Sequence, residues 1–270
     1  MKTCYEIEQN LGDQFTAIID YDKKEIDNPD KYHHHRINYL DRVNFVISLV
    51  EDMFPVPNET FVGDFACAQA NIALQLGELG YNVTAIDIDS TCIEYARMKY
   101  ERGNINWVLK DIDRLESLQE LLHVAIAGEF IEHCAYPEEI IAKILTFVRP
   151  GGLLILTTPN GSYFHYNLPT FHQVADRQSR RKFQGHQFGP DGPHHLFLFT
   201  LDEINYIIPQ SAKIIQSGYL GGTVLINKYS RHVLRILPLP LVEKTIRMLS
   251  RVPFMNKKTF YNIYAVVRKN

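Results

Sequence analysis

Between Phe61 and Asp89 the chain reads FVGDFACAQANIALQLGELGYNVTAIDID, and this stretch limits what the chain can fold into more than any other. Two apolar residues, Phe61 and Val62, start a strand that runs into a turn of small residues. A helix over residues 70–78 follows, with Ile72, Leu74 and Leu76 as its apolar side chains and Gly80 as its stop. A second strand, residues 83–86, then ends in Asp87. Strand, turn, helix and strand in this order open a parallel sheet of the doubly wound kind, whose ligands lie across the carboxyl ends of the strands. A carboxylate placed there can accept hydrogen bonds from both hydroxyls of a ribose. Asp87 falls 87 − 66 = 21 residues after the turn begins at Ala66, close to the spacing of about 20 that this role requires.

The turn narrows the ligand further. A dinucleotide site needs glycine wherever the backbone closely approaches a pyrophosphate. Ala66, Ala68 and Ala70 hold those places here. Their methyl groups would crowd a pyrophosphate, yet they can line a cavity for a nucleoside without phosphates. Asp64, just before the turn, suits a cation better than a phosphate. A ligand with a ribose, a cationic centre and no phosphate is implied, and S-adenosylmethionine meets that description.

Asp64-Phe65-Ala66-Cys67-Ala68-Gln69-Ala70 resembles motif I of the class I S-adenosylmethionine-dependent methyltransferases, Asp-x-Gly-Cys-Gly-x-Gly, with alanine at all three glycine positions. Later segments resemble the same family. A helix over residues 90–102 follows, capped by Ser90, with Gly103 just past its end, and then a strand over 105–109 leads to Asp111-Ile112-Asp113. A fourth strand, 124–127, runs into Gly128-Glu129-Phe130-Ile131-Glu132-His133. A helix over 137–147, an Arg149-Pro150-Gly151-Gly152 turn and a fifth strand over 153–156 lead to Thr157-Thr158-Pro159-Asn160. This succession resembles the family's Glu-x-x-Glu-His … Arg-Pro-Gly-Gly … Thr-Pro-Asn run. The resemblance implies an α/β fold, a doubly wound seven-stranded sheet with an N-terminal helical lid and inserts after strands five and six. It implies a cofactor held by Asp64, Ala66, Cys67, Ala68, Asp87, Ile88, Asp111, Ile112 and Glu129. Asp111 would accept from the adenine amine while Ile112 covers the ring. The other duty open to Asp111 is a helix cap, for which Asp113 is the better placed of the two.

One domain is expected, with residues 1–58 as lid, 59–160 as cofactor-binding core and 161–270 as the substrate side. At 270 residues and 46% hydrophobic the chain can bury a core of that size. Its net charge of −3 argues against a general nucleic-acid binder. Cys4, Cys67, Cys92 and Cys134 form no C-x-x-C pair and no disulfide framework, which fits reduced thiols in a cytoplasm. The polar start MKTCYEIEQN does not read as a signal peptide, and no apolar run reaches the roughly 18 to 20 residues of a membrane span.

Methyl transfer from a sulfonium asks the protein for positioning and for deprotonation of the acceptor, so few residues need be catalytic. Glu129, Glu132 and His133 have i, i+3, i+4 spacing and would share a face if that segment turned helically. With His195, in His195-Leu196-Phe197-Leu198-Phe199-Thr200, they could hold Mg²⁺ or another divalent ion. This set resembles two metal-assisted branches of the family, the ubiquinone-pathway O-methyltransferases and the small-RNA 3′-terminal 2′-O-methyltransferases. Two other readings stand beside the metal one: His133 as general base without metal, or a structural role for all of these residues.

The substrate side offers His33, Tyr163, Arg181 and His194. His33-His34-His35-Arg36 opens a helix that continues from Tyr32 to Phe54-Pro55 and is either a solvated cap or part of a lid. Arg177, Arg180, Arg181 and Lys182 could meet an anionic acceptor or form a solvated charge run, while Tyr163, Phe164, Tyr166 and Phe171 could stack on a ring or fill core. Thr200 caps a helix over 201–207, and strands over 212–217 and 260–267 complete the sheet. Between those strands, residues 229–256 are apolar and basic. Residues 228–270 hold ten Lys and Arg against one acid, Glu243, for a net charge of 10 − 1 = +9. This insert either packs on the sheet or a partner, or lies on an anionic membrane surface. The expected activity is methylation of a hydroxyl on a small sugar, phenolic or polyketide-like acceptor. The alternatives are methylation of nitrogen, of an RNA 3′ end, or cofactor binding without turnover.

Overall fold

The computed structural model describes residues 1–174, 176–181, 195–223, 231–252 and 257–270. Seven strands form one sheet: β1 (Phe61–Phe65), β2 (Asn82–Asp87), β3 (Asn104–Leu109), β4 (Leu122–Gly128), β5 (Val148–Pro159), β6 (Ala212–Thr223) and β7 (Phe260–Lys269). Their order is β3-β2-β1-β4-β5-β7-β6. The first five strands run parallel, and β7 lies antiparallel between β5 and β6. The order reverses between β1 and β4, which opens the crevice in which a sheet of this kind takes its ligand.

The inner strands β1, β2, β4, β5 and β7 are largely buried on both faces because their alternating side chains feed two separate cores, while the edge strands β3 and β6 are largely exposed or half-buried. Val124 and Ile126 of β4 join Val62, Val83, Leu153 and Val266 on one face. Ala125 and Ala127 join Phe65, Ile86, Leu154 and Leu156 on the other. The first core is covered by three helices: α2 (His34–Met53) through Val43, Val46, Ile47 and Val50, α3 (Asn71–Glu78) through Ile72 and Leu74, and α4 (Ser90–Lys99) through Ile93 and Ala96. The second is covered by α5 (Pro137–Phe147) and α6 (Leu201–Ile207). An earlier helix, α1 (Thr16–Lys24), sits against α4 through Ile18, Ile19 and Tyr95.

Several local expectations are corrected. Asp89, not Ser90, caps α4, its carboxylate accepting from the amides of Thr91 and Cys92. That helix ends at Lys99 rather than 102, and Gly103 takes a φ of +115° where an added Cβ would strike the backbone of Gly77. Arg149-Pro150-Gly151-Gly152 is not a turn before a strand but a bulge within one. Val148 pairs with Leu122, and pairing resumes with Leu153 opposite Val124. β6 runs to Thr223, six residues beyond the expected end. Pro137 to Phe147 and the Thr200-capped helix, with Glu203 completing its capping box, fall where periodicity places them.

Candidate functional site

The turn after β1 bends through three left-handed residues, all of them alanine. Ala66, Ala68 and Ala70 take φ values of +55°, +46° and +53°, in the left-handed region that glycine enters without strain. The bend is held by hydrogen bonds at its rim. Cys67 N–H donates to the Ile86 carbonyl, and Ala68 N–H donates to Asp87 Oδ2 at 2.8 Å. Asp87 Oδ1 takes the Asp89 amide at 2.9 Å, and burial raises this carboxyl's pKa against those bonds. Asp64 is buried beneath the turn, where desolvation raises its pKa to about 7 although the Ala73 amide in the first turn of α3 donates to it. Cys67 is buried beside it, and Ala66 and Ala68 face half outward.

At the neighbouring strand ends Ile88 is 51% exposed, free to lie against a ligand. Ile112 is instead packed among Phe65 and Ile86 in the core. Asp111, not Asp113, is the local cap, one carboxylate oxygen accepting the Asp113 amide at 3.0 Å.

The acidic segment after β4 does not turn helically throughout. Glu129 has a φ of +52°, and only Ile131–His133 forms a 3₁₀ turn. Glu129 points to the strand edge, where its Oε2 accepts from Asn262 at 2.7 Å and its buried Oε1 meets no donor among the described residues. Glu132 is fully buried. Its Oε2 accepts from the Thr158 hydroxyl at 2.8 Å, while Oε1 meets no hydrogen-bond donor among the described residues and lies 4.0 Å from His195 Nε2. Burial and then the nearby Glu129 raise the pKa of Glu132 well above the ordinary carboxylate value. The His133 and His195 rings meet edge to face at 5.0 Å, and burial lowers the pKa of His195. The amide of Leu196 donates to the Glu132 carbonyl, which pins the His195 segment beside the 3₁₀ turn. One ligand atom each from Glu132, His133 and His195 lie within 4.8 Å of one another; Glu129 is outside that group.

Beside this trio a cavity of about 500 Å³ is lined by Glu129, His195, Tyr163, Tyr166 and Tyr261, and by Glu25, His34, His35 and Arg42 from the N-terminal region. Arg42 is the principal residue that sequence reasoning passes over. Burial opposes its charge, but the carboxylates of Glu129 and Glu25 outweigh this and raise its pKa. Glu25 is itself desolvated to a pKa of about 7. The signal available was a cation three residues after Tyr39 and next to the buried Val43, a pattern that many solvated arginines share.

The substrate-side candidates separate. Tyr163 lines the cavity and packs its ring 4.5 Å from that of Tyr261. His33 instead lines an adjoining hollow with Asp20, Lys23 and Asn28; His34 and His35 reach the cavity. Arg181 is exposed and is not among the cavity residues. Arg180 does not await an anion: it is buried, pairs with both oxygens of Glu138 and covers Tyr136 and Phe171. Phe171 fills core with Phe197 and Phe199. His194, Lys182, Lys228 and the ends of the 229–256 insert lie outside the described residues.

Residues 63–156 match the family described as a methyltransferase domain. The ubiquinone biosynthesis O-methyltransferase of Rickettsia prowazekii (strain Madrid E) is 30% identical over 128 residues, covering 47% of this chain and 50% of that protein. Its counterpart from Rickettsia felis is 30% identical over 154 residues, covering 52% and 62%. The chain thus spans about half or somewhat more of the length of these curated relatives. Among solved structures, the plantazolicin methyltransferase BpumL with a triazolic desmethylPZN analog and SAH superposes with a TM-score of 0.54 at 13% identity, over 99% of this chain and 95% of that one. Magnesium protoporphyrin IX methyltransferase (ChlM) from Synechocystis PCC 6803 with bound SAH gives 0.51 at 13% identity, over 85% and 82%. Likeness at such identities is one of fold. Residues 63–156 are a methyltransferase domain, carried on the seven-stranded fold of S-adenosylmethionine-dependent methyltransferases.

Proposed function

We propose that this protein transfers a methyl group from S-adenosylmethionine to a hydroxyl of a small acceptor held in the cavity beside Glu132, His133 and His195. The observation that carries this reading is the buried Glu132 Oε1, which meets no donor among the described residues where two imidazoles converge. A buried carboxylate oxygen without a partner costs on the order of 1–3 kcal/mol or more, and a cation relieves that cost. The oxygen and nitrogen donors of the trio fit a divalent ion such as Mg²⁺. Bound there, the ion would draw in the acceptor oxygen and lower its hydroxyl pKa.

The cofactor residues fit the adenosyl group. Asp87 would take the ribose hydroxyls through lone pairs that its two amide bonds leave open, and Ile88 would lie against the base. The guanidinium of Arg42 suits the carboxylate of the methionyl group, and the open Oε1 of Glu129 suits its ammonium. When bound, the cofactor supplies the electrophilic methyl. The chain's own residues then orient the acceptor: Tyr163, Tyr166 and Tyr261 wall the cavity, and with both imidazoles engaged as ligands the proton of the acidified hydroxyl would leave to solvent; without an ion, the His133–His195 pair would accept it.

Labelled S-adenosylmethionine offered with a panel of catechols, phenols and sugars tests this reading. The expected product is a methyl ether, formed at least about 100-fold more slowly in EDTA and recovered with Mg²⁺. Rates indifferent to EDTA would remove the metal. An N-methyl product would overturn the hydroxyl assignment.

A further inference from the structure

Helix α7 (Leu239–Leu249) has two apolar faces, and among the described residues only one of them packs into a core. Val242 and Ile246 are buried against Ile37 at the start of α2 and Phe260 at the start of β7. On the opposite side Leu241 and Met248, one heptad apart, are 48% and 63% exposed. The exposed stripe continues into Val252, and just before the helix Ile236 is 81% exposed beside Leu237. Lys244 and Arg251 are exposed alongside it, and Arg235 carries a further cation at the same end, paired with Asp30. From 231 to 252, the stretch that carries this stripe, Arg231, Arg235, Lys244, Arg247 and Arg251 stand against the single acid Glu243, a net charge of 5 − 1 = +4, with Arg247 3.9 Å from Asp41. Among the described residues, no helix is long and apolar enough to cross a membrane.

We infer that this face docks onto a bilayer that carries anionic headgroups. Apolar side chains flanked by cations on a surface helix match the acyl boundary and the negative headgroup layer together. A second copy of the chain would bring this basic face against itself, and the charge disfavours that arrangement. Docking would also set the acceptor cavity near the surface, since the first turn of α2, on which α7 rests, contributes His34 and His35 to its wall. The inference stands apart from the reading of the active site.

The full chain is floated with vesicles of phosphatidylcholine alone or mixed with phosphatidylglycerol. It is expected to float with the mixed vesicles only and to be released as salt shortens the screening length. Lys244→Glu with Arg251→Glu should lower partitioning about thirtyfold or more, from the loss of two surface cations. Met248→Asp should also weaken it, and both variants should keep the wild-type melting temperature because all three positions are exposed. Four results would each overturn the inference: no flotation of the wild type, equal partitioning onto phosphatidylcholine alone, variants that float as the wild type does, or a dimer in light scattering that the same variants dissolve.

Discussion

Ala66, Ala68 and Ala70 occupy left-handed backbone that costs a residue with a Cβ roughly 1–2 kcal/mol. Ala68→Gly should therefore stabilise the chain by about 0.5–1 kcal/mol in denaturant unfolding, after the entropy of a freer unfolded glycine is subtracted. An ordinary Ala→Gly loss would show that the bend is unstrained. Asp87→Ala removes the carboxylate proposed to take the ribose and should weaken SAH binding at least about tenfold by calorimetry, since a hydrogen bond to a charged group contributes roughly 1.5–3 kcal/mol. At this scale Asp87 and the alanine turn are legible because their spacing alone assigns them to strand ends. The trio of Glu132, His133 and His195 is legible in composition only. Its separation from Glu129 follows from a single left-handed residue that spacing does not reveal. Arg42 and Glu25 matter through burial and mutual charge, which appear only after the helices have packed.

Helices were easier to read than strand ends, and for a physical reason. Residues 137–147 show an apolar face at helical spacing bounded by Pro137, whereas β6 is extended past Ser217 by pairing with β7, a partner distant in sequence. The bulge at Arg149–Gly152 escaped for the same reason, because it exists only in register against β4. Helix α2 is expected as a lid. Four of its valine and isoleucine side chains are core, and only its first turns reach the cavity. On that helix Asp41 accepts the Gly221 amide at 3.0 Å, and burial raises its pKa from 3.8 to about 6. The folded state thus holds this proton more tightly than the unfolded one. Its contribution to stability falls as pH rises from about 4 to about 6, by about 3 kcal/mol, and is flat above that window. Asp41→Asn should remove this slope from unfolding free energies measured across pH 4–7. A slope unchanged in the variant would assign it elsewhere.

Across the whole molecule, the N-terminal region is tied to the helix that follows the alanine turn by a buried polar cluster. Lys99 pairs with Asp22 and bonds Asn71 at the start of α3, and Tyr95 donates to Asp22 at 2.8 Å. Tyr95 and Lys99 are one turn apart on α4, while Asp22 and Asn71 are brought to them by the fold from distant positions. Lys99→Met leaves Asp22 buried without its cation and should cost about 3–5 kcal/mol in thermal or denaturant unfolding. A loss under 1 kcal/mol would mean that water reaches the cluster. The sheet order then places the turn, Asp87 and Glu129 around one crevice at the β1/β4 reversal, with the Tyr163 cavity on its β5/β7 side. A crystal structure of the protein soaked with SAH tests that arrangement most directly. The account predicts both ribose hydroxyls within hydrogen-bond distance of the Asp87 carboxylate and the sulfur facing the Tyr163 cavity. A crevice closed by the methyls of Ala66 and Ala68, or an adenosyl group seated elsewhere, would contradict it.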